Sequence, residues 1–397
     1  MEAWRKIRLG DACKTNTDSY SPKEKWDFVN YLDTGNITDN RIDFIQHIDV
    51  RSEKLPSRAR RKVKKDSIIY STVRPNQHHF GIIKSQPENF LVSTGFAVVD
   101  TDAQVLNADF LYYLLTQSTL VEALHAIAEQ STSAYPSIKP SDIEELEIDI
   151  PDLTTQKKIA DVLGSLDRKI TQNMEINENL EQQAASYFQH LFIENADPSW
   201  SEGTISDLGT VVGGSTPSKS KPEYYTNHGI AWITPKDLSV DKSKFIAHGA
   251  DDITELGLRN SSASVMPSGT VLFSSRAPIG YIAIADGEVT TNQGFKSVVP
   301  KESIGTAFIY YFLKNALPTI ENMASGSTFK EISGSAMRTV PAIIPDHKSI
   351  QDFTDFCDPL FQQQRTLEAE NRQLSLLRDS LLPKLMSGEL DVSEIDL

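Results

Sequence analysis

The strongest constraint on this 397-residue chain is that its sequence is written twice. Residues 4–12 return at 200–208, and each copy has a Trp and an Asp seven residues apart. Further strings recur in the same order: VKKDSIIYSTVRP (63–75) and VMPSGTVLFSSRAP (265–278), TGFAVV (94–99) and QGFKSVV (293–299), FLYYLL (110–115) and FIYYFL (308–313), and IPD at 150–152 and 344–346. Because internal repeats decide architecture, we interpret the chain as two copies of one unit.

Each copy opens with a β-rich block. The strand signals are runs of β-branched and aromatic residues between turn residues: SIIYSTV, FAVV, TVLFSS and YIAIA. We predict one helix in each block, around 110–130 and 306–324, which supplies an apolar face. The predicted fold class is therefore α+β, with two pseudo-repeated β-rich domains.

After each IPD string the pattern changes to a heptad. The seam positions follow alternating spacings of four and three residues: Ile159, Leu163, Leu166, Ile170, Asn173, Asn177, Leu180, Ala184, Tyr187 and Leu191, then Phe353, Cys357, Leu360, Gln364, Leu367, Asn371, Leu374, Arg378, Leu381 and Leu385. Such a sustained pattern predicts a coiled coil. Two ordinary amphipathic surface helices are the alternative, although both segments far exceed the average helix of about 12 residues.

Size favours an antiparallel pair of helices. A block of about 150 residues is roughly 40 Å across, and each seam helix is about 50 Å long. Parallel pairing would force the second block to span the full helix, whereas antiparallel pairing requires only a turn. Matching the two seams about their midpoints places Asn173 opposite Asn371, within hydrogen-bonding distance.

These patterns divide the chain into five segments. We predict two blocks, each followed by its long helix, and a tail: 1–153, 154–195, 196–345, 346–388 and 389–397. Seven apolar helix positions lie outside the seam: Val162, Ile176, Phe188, Phe192, Phe356, Leu376 and Leu377. Exposed apolar rows usually mark an interface, so we expect these side chains to pack on partner subunits or back onto the blocks.

Composition and charge narrow the class of protein. The formal net charge of −15 argues against a freestanding nucleic-acid binder, although a basic face can coexist with acidic helices or with basic partners. Cys13 and Cys357 lie far apart and have no redox or metal-ligand spacing. No signal segment or membrane-length apolar run is present, so we expect a cytoplasmic protein without membrane contact.

The sequence lacks the common enzyme signatures. It has no phosphate-binding loop, no dinucleotide fingerprint, no H-E-x-x-H, no C-x-x-C, and no N-P-P-[YF] string of amino-methylating DNA methyltransferases. Gly213 and Gly214 are typical of a turn, and adjacent His78 and His79 are typical of a polar loop. We therefore predict no catalytic residue and no metal site.

Basic and polar clusters are the candidates for DNA contact, because Lys and Arg suit phosphates while Arg, Asn and Gln suit base edges. In the first copy they are Arg58, Arg60, Arg61, Lys62, Lys64, Lys65, Arg74, Asn76, Gln77 and His78; in the second, Ser215, Thr216, Ser218, Lys219, Lys221, Lys236, Arg276, Asn292, Gln293 and Lys330. The string TTNQGFK also brings Thr291 and Lys296 within reach. Solvated polar loops are the alternative interpretation of each cluster.

At this point the chain resembles a known family. Two β-rich blocks, each followed by a heptad helix and repeated head to tail, resemble the specificity (S) subunit of type I restriction-modification systems. The strings GSTPSKSKPEYYTNHGIAWITPKDL (214–238) and SIIYSTVRPN (67–76) are similar to the target recognition domains of that family. The resemblance implies that each block recognises one half of a bipartite site in double-stranded DNA. The helices would then separate the blocks and dock two methyltransferase (M) subunits and, through them, restriction (R) subunits.

The same resemblance implies a non-catalytic subunit. Methyltransferase and endonuclease activity would lie in the partners, S-adenosylmethionine would bind the M subunit, and no cofactor would bind this chain. The unlike candidate loops, Arg/Lys-rich in the first copy and Ser/Thr-rich in the second, favour an asymmetric target. A coiled-coil adaptor that binds only proteins is the main alternative, and a hydrolase with an unseen site is a third.

Overall fold

The structure, a computed structural model, describes residues 4–131, 135–326 and 330–392. The chain forms two compact units. Unit one contains residues up to 169 together with residues from 374 onward, and unit two contains residues 170–373. Each unit combines one block with parts of both long helices, because the block packs against them.

Unit one contains twelve strands and three short α-helices among its described residues. The strands are β1 Arg5–Arg8, β2 Cys13–Thr15, β3 Phe28–Leu32, β4 Ile37–Thr38, β5 Arg41–Ile42, β6 Gln46–Asp49, β7 Ala59–Arg61, β8 Ile68–Ser71, β9 Phe80–Ile82, β10 Phe90–Ser93, β11 Phe96–Thr101 and β12 Glu147–Ile150. The helices are α1 Ala108–Leu115, α2 Ser118–Glu129 and α3 Pro140–Glu144. The first long helix, α4, spans Leu153–Gln189 and continues as one π turn, His190–Glu194.

Unit two repeats this arrangement. Its strands are β13 Ser201–Thr204, β14 Gly209–Gly213, β15 Tyr225–Thr226, β16 Ile230–Ile233, β17 Phe245–Ile246, β18 Asp251–Ile253, β19 Val271–Ser275, β20 Ile279–Ala285, β21 Val289–Thr291, β22 Lys296–Pro300 and β23 Pro341–Ile344. Its helices are α5 Ile205–Leu208, α6 Pro235–Val240, α7 Glu255–Arg259, α8 Gly305–Asn315, α9 Leu317–Met323 and α10 Gly334–Arg338. The second long helix, α11, spans His347–Met386.

Sheet topology confirms the repeat. Strand order β2-β11-β8-β9 in unit one corresponds to β14-β22-β19-β20-β17 in unit two, and β1-β12 corresponds to β13-β23. A further four-stranded sheet in each unit, β6-β3-β10-β7 or β15-β18-β16-β21, contains one parallel pair. The predicted strands around SIIYSTV, FAVV, TVLFSS and YIAIA are β8, β11, β19 and β20, and the predicted α+β class is confirmed.

The single helix that we predicted in each block is wrong, since each is two helices. In unit one, Thr116 Oγ1 donates to the carbonyl of Tyr113 over 3.1 Å, and Gln117 then takes an extended conformation with ψ 137°. Such side-chain bonds to the preceding turn compete with helix continuation. In unit two, Pro318 lies in the first turn of α9, where a residue without an N–H is tolerated. The same proline could not continue α8, because it has no N–H to donate within a helix.

The cores explain why each unit includes both long helices. In unit one, Tyr70, Val99 and Phe110 of the block share a buried cluster with Leu163 of α4 and Leu385 of α11. In unit two, Phe273 and Phe308 of the block cluster with Phe188 of α4 and Phe353 of α11. Because a helix stripe must bury its apolar face, both helices are parts of both cores.

Within unit two, α4 and α11 run antiparallel, as predicted. Asn173 Nδ2 donates to Asn371 Oδ1 over 2.8 Å, and Gln364 Nε2 donates to the carbonyl of Asn177 over 3.0 Å. Asn173 is fully buried, so this bond penalises slipped registers. The predicted Asn173–Asn371 contact is confirmed.

The seam positions are all covered to some degree. Ile159, Leu163, Asn173 and Leu367 are buried. The half-buried ones are Leu166, Ile170, Asn177, Leu180, Leu360, Asn371, Leu374 and Leu381. None of the described helices is both long enough and apolar enough to cross a membrane.

A buried lysine joins block and helices in unit two. Lys244 is 7% exposed, and its Nζ contacts Glu181 Oε2 of α4, Gln364 Oε1 of α11 at 2.7 Å and the Tyr311 hydroxyl of α8 at 3.3 Å. Lys314 Nζ approaches Glu181 Oε1 to 2.5 Å. We call Lys244, Glu181, Gln364, Tyr311 and Lys314 junction two.

Burial and charge act against each other in junction two. Burial alone would raise the pKa of Glu181, but the ammonium groups of Lys244 and Lys314 outweigh it and lower that pKa. Burial lowers the pKa of Lys244, although Glu181 opposes this effect. A lysine this deeply buried persists only when paired, so Glu181 ties the block to α4.

Unit one uses a smaller cluster. The Tyr113 hydroxyl of α1 donates to Asp167 Oδ2 of α4 over 2.6 Å, and Arg378 Nη1 of α11 donates to Asp167 Oδ1 over 2.8 Å. The Arg378 and Asp167 side chains are 30% and 32% exposed. We call these three residues junction one.

Candidate nucleic-acid interface

The loop after β8 connects three segments of unit one. The Thr72 amide donates to the Gly95 carbonyl over 2.8 Å, and the Ile138 amide donates to the Thr72 carbonyl over 2.8 Å. The Arg74 amide donates to the Pro136 carbonyl over 3.0 Å. We call the surface formed by 72–78, 94–95 and 135–137 face one.

The backbone of face one is fixed in an uncommon shape. Arg74 has φ 48° and His78 has φ 57°, and a short 3-10 helix, Pro75–Gln77, lies between them. Positive φ at such residues costs roughly 1–3 kcal/mol and persists where the surroundings hold it, often at functional sites. His78 Nδ1 bonds to Asp39 Oδ1 over 2.9 Å, which anchors one end. The loop is therefore preorganised.

Face one presents hydrogen-bonding side chains to solvent. Arg74, Asn76 and Gln77 are exposed. The Arg74 guanidinium lies 5.1 Å from the centre of the Tyr135 ring, which orients the group while leaving it accessible. Sequence reasoning did not select Tyr135. The one signal that could have indicated it is its position in the loop that follows α2 and precedes the IPD string.

The basic run at 58–65 does not form one surface with Arg74. The Arg58 carbonyl accepts from the Thr94 amide over 2.8 Å, so exposed Arg58 adjoins face one. Lys64 and Lys65 precede β8 whereas Arg74 follows it, so they lie at opposite ends of this strand. Their roles in DNA contact stay predictions.

Three other basic residues of this run have local partners. Lys62 Nζ pairs with Glu24 Oε2 at 2.6 Å, and Lys64 Nζ lies 3.5 Å from Asp100 Oδ2. Arg61 Nη1 lies 3.5 Å from Ser19 Oγ, and Arg60 is exposed on β7. The run therefore combines Arg58 beside face one with side chains that serve other parts of the block.

Unit two brings together predicted residues from separate stretches. The Ser215 amide donates to the Thr291 carbonyl over 2.8 Å, and Thr216 Oγ1 donates to Gln293 Oε1. Asn292 Oδ1 accepts from the Gly294 amide over 2.8 Å and fixes the turn. We call the surface formed by 214–216, 275–277, 291–296 and 330–332 face two.

Gly214 permits the closest approach in face two. A Cβ at Gly214 would lie 2.0 Å from the Asn292 carbonyl oxygen, so only glycine allows the two segments to meet. The turn predicted at Gly213 and Gly214 is wrong, because Gly213 is the last residue of β14 and Gly214 continues without a turn. The absence of a side chain at Gly214 instead lets Ser215 lie against Thr291.

Arg276 meets a carboxylate in face two. Arg276 Nη1 lies 3.4 Å from Glu331 Oε2, and Lys296 Nζ lies 3.7 Å from Glu331 Oε1. Sequence reasoning missed Glu331, although the repeat places it in the loop of unit two that is equivalent to the loop of Ser137 in unit one. Lys330, which was predicted, is exposed beside it.

The remaining predicted residues of unit two lie either beside face two or in the loop that leads away from it. Lys236, in the first turn of α6, is exposed beside Pro235, which adjoins Gly294 of face two. Ser218 and Lys219 are exposed in the loop beyond Thr216. Lys221 lies over the Tyr224 ring, 5.7 Å from its centre.

The two faces differ in register by one residue. Val73 forms a bridge with Ser137, and Arg276 forms the equivalent bridge with Glu331. Ala277, with φ 51°, therefore takes the place of Arg74. Arg276 lies at the equivalent strand end, as predicted, but it occupies the position of Val73. The two arginines consequently start from different positions of the shared scaffold.

The predicted apolar helix positions divide into two groups. Phe188 and Phe192 are buried in the core of unit two, and Val162 packs against that of unit one. The others remain exposed: Ile176 44%, Phe356 37%, Leu376 71% and Leu377 46%. The exposed group is available to a partner.

The predicted polar histidines make ordinary contacts. His79 Nδ1 lies 2.6 Å from the Ile37 carbonyl, and His78 pairs with Asp39. Within residues 4–131, 135–326 and 330–392, no three His, Cys, Asp or Glu side chains gather as a metal site would require.

Comparison with known proteins agrees with the repeated fold. The chain is 25% identical to the Type I restriction enzyme HindI specificity subunit of Haemophilus influenzae, over 98% of this chain and 100% of that protein. It is 36% identical to the Type I restriction enzyme MjaIX specificity subunit of Methanocaldococcus jannaschii, over 45% of this chain and 42% of that protein.

A solved structure shares the fold. The S subunit of a type I restriction-modification system from M. genitalium is 18% identical, with 96% of each chain covered and a TM-score of 0.57. Residues 1–182 and 198–376 each match the family described as "Type I restriction modification DNA specificity domain". The chain therefore belongs to the type I restriction-modification DNA specificity family.

Proposed function

We propose that this chain reads a bipartite, asymmetric site in double-stranded DNA, with face one on one half-site and face two on the other. The observation that supports this most is that both faces occupy equivalent loops of a repeated scaffold but carry different side chains. Arg74, Asn76 and Gln77 present donors and acceptors in face one, whereas Arg276 and Glu331 form an ion pair in face two. Unlike faces on like scaffolds suit unlike half-sites.

The chemistry of base recognition fits these residue types. Arginine donates two hydrogen bonds to guanine O6 and N7, and asparagine or glutamine pairs with adenine N6 and N7. A fixed backbone lowers the cost of ordering such side chains on DNA. The preorganised 74–78 loop supports direct readout of bases in the major groove.

The helices would carry the partner subunits. Exposed Ile176, Phe356, Leu376 and Leu377 offer apolar contacts to two methyltransferase (M) subunits, through which restriction (R) subunits would join. Methyl transfer and DNA cleavage would occur in those partners, with S-adenosylmethionine held by the M subunit. This chain would supply recognition and assembly without a catalytic residue.

Partner subunits also reconcile DNA binding with the net charge of −15. Phosphate contacts depend on local cations, and partner surfaces can complete a basic channel that an acidic subunit lacks. The complex, not the isolated chain, is therefore the DNA-binding species.

The test is sequence selection by the assembled complex. The chain is co-expressed with the M subunit of its own organism, and the purified complex is incubated with a random duplex library. We expect enrichment of one sequence with two unlike specified parts, and loss of retention by orders of magnitude between about 50 and 200 mM salt. Absence of DNA retention at every salt concentration would instead support a protein-only adaptor. Replacing both Ile176 and Leu377 with Glu should abolish assembly.

A further inference from the structure

Three charged side chains meet in face two without an obvious structural need. Arg276 and Lys296 both contact Glu331, at 3.4 and 3.7 Å. Lys296 Nζ also lies 3.4 Å from Ser275 Oγ and 3.2 Å from the Phe295 carbonyl, so its position is well defined. Burial lowers the pKa of Lys296, whereas Glu331 opposes that effect, and the carboxylate therefore helps to keep this lysine charged.

Unit one builds the same scaffold without these charges. The Thr72 amide donates to the Gly95 carbonyl at 2.8 Å, as the Ser275 amide does to the Gly294 carbonyl at 2.7 Å. Val73, Ala97 and Ser137 then occupy the positions of Arg276, Lys296 and Glu331. Because the scaffold forms with apolar and small residues at these three positions, the charges serve something besides folding.

The backbone fixes Glu331 beside Arg276. Their residues form an antiparallel bridge, and Glu331 forms a second bridge with Ser325. The Ile332 amide donates to the Ser275 carbonyl over 3.1 Å. The Arg276 and Glu331 side chains remain 38% and 37% exposed, so a donor and an acceptor stand side by side at the surface.

The polarity of this pair complements that of one base pair. In a G·C pair, guanine O6 accepts a bond from cytosine N4, with the two atoms about 2.9 Å apart. The Arg276 donor and the Glu331 acceptor are 3.4 Å apart, with the complementary polarity. Guanine N7 offers arginine a second acceptor, whereas a thymine in that place offers O4 beside a methyl group.

Resting on the proposed function, we propose that Arg276 and Glu331 together select a G·C base pair in the half-site read by face two. Arg276 donates to guanine O6 and N7, Glu331 accepts from the cytosine N4 amino group, and Lys296 positions Glu331. Glu331 is thus a specificity-determining residue, since a carboxylate accepts from cytosine N4 and is repelled by guanine O6 and thymine O4. The Arg276 bond to guanine N7 separates G·C from a T·A pair, whose adenine N6 is also a donor.

Sequence selection with the complete complex tests this pairing. Glu331→Gln keeps the side-chain size but removes the charge, and Arg276→Lys keeps the charge but removes the bidentate donor. Glu255→Gln is the matched control, because Glu255 also pairs with an arginine, Arg259, at 3.9 Å in the same unit. Each variant complex is incubated with the random library, and its melting temperature confirms folding.

We expect Glu331→Gln to lower discrimination at one G·C position about tenfold, within the roughly 5- to 150-fold that one good pairing supplies. Arg276→Lys should weaken selection at the same position. The other half-site, and the whole site with Glu255→Gln, should be unchanged.

Three results would overturn the inference. A folded Glu331→Gln complex that selects the wild-type site with undiminished discrimination would remove Glu331 from base readout while leaving the proposed function intact. If Glu331→Gln raised the affinity for all sequences equally, Glu331 would only weaken phosphate binding through its negative charge. If the wild-type complex selected no sequence, the proposed function itself would fail, and the role of Glu331 with it.

Discussion

Junction one and junction two each join a tyrosine of a block to α4, but they do so by different chemistry. Tyr113 and Tyr311 occupy the same position in the repeated strings FLYYLL and FIYYFL, and each donates to a carboxylate of α4. In junction one that carboxylate, Asp167, is paired with Arg378 of the other helix. In junction two, Glu181 is paired with Lys244, a buried residue of the block itself.

The repeat relates the tyrosines but not their partners. In the heptad alignment the position that corresponds to Asp167 is Phe361. The Lys244 ammonium lies over the Phe361 ring, 4.1 Å from its centre. Glu368 adds to junction two by accepting from the Lys244 amide over 2.8 Å. Burial raises the pKa of Glu368. The same repeated apolar scaffold thus accommodates two different sets of polar contacts between block and helix.

The largest expected effect is in junction two. Lys244→Met should lower the free energy of unfolding of unit two by about 3 kcal/mol, because removing one partner of a buried pair leaves the other poorly compensated. Hydrogen exchange in α8 measures this locally. Lys314→Met is the control: its side chain is 41% exposed, and we expect a loss below about 1 kcal/mol. Equal effects would mean that burial does not distinguish the two lysines.

A smaller effect is expected in junction one. Asp167→Asn should lower the free energy of unfolding of unit one by about 1 kcal/mol, since the pair is one-third exposed and water partly screens it. Asp379→Asn is the control, because Asp379 also bonds to Arg378, at 2.8 Å, but is 60% exposed. Hydrogen exchange in α1 should change for the first variant and hardly for the second; the reverse order would contradict the assignment of Asp167 as the link.

The repeat and the heptads made the apolar framework predictable. Tandem strings indicated two like blocks, and the seam positions of Asn173 and Asn371 predicted both helix direction and their contact. The polar partners were not predictable in the same way, because Lys244 and Glu181 lie far apart in sequence and follow no period. Glu331 was missed for the same reason: its contact with Arg276 depends on a loop whose course the sequence pattern does not define.

The smallest expected effect concerns the starts of the long helices. Asp346 accepts from the Ser349 amide over 2.9 Å and from Trp200 Nε1 over 2.9 Å, and these bonds lower its pKa from 3.8 to about 2. A lowered pKa adds stability above 3.8 that is lost as pH falls through about 2. Asp346→Asn should therefore be less stable than the wild type at neutral pH, and the difference should shrink on acidification.

The control for this titration is Asp152, which begins α4 in the equivalent IPD string. Asp152 accepts from the Thr154 amide over 2.8 Å and from Thr155 Oγ1 over 2.6 Å, and no tryptophan in the part of the chain that the structure describes donates to it. The Trp200→Phe variant should move the acid response of the second helix toward higher pH, while Trp4→Phe should not move that of the first. Identical shifts in urea unfolding across pH would refute the role of the indole.

The central claim is that each face reads its own half-site, and mapping of methylated sites tests it most directly. Cells carrying the complex with Arg74→Ala, Arg276→Ala or neither are compared for modified positions across the genome. A lost base contact costs about 1 to 3 kcal/mol of discrimination. We predict that Arg74→Ala relaxes one half-site and Arg276→Ala the other, with the unaffected half unchanged in each case. Equal relaxation of both halves by either variant would contradict the account.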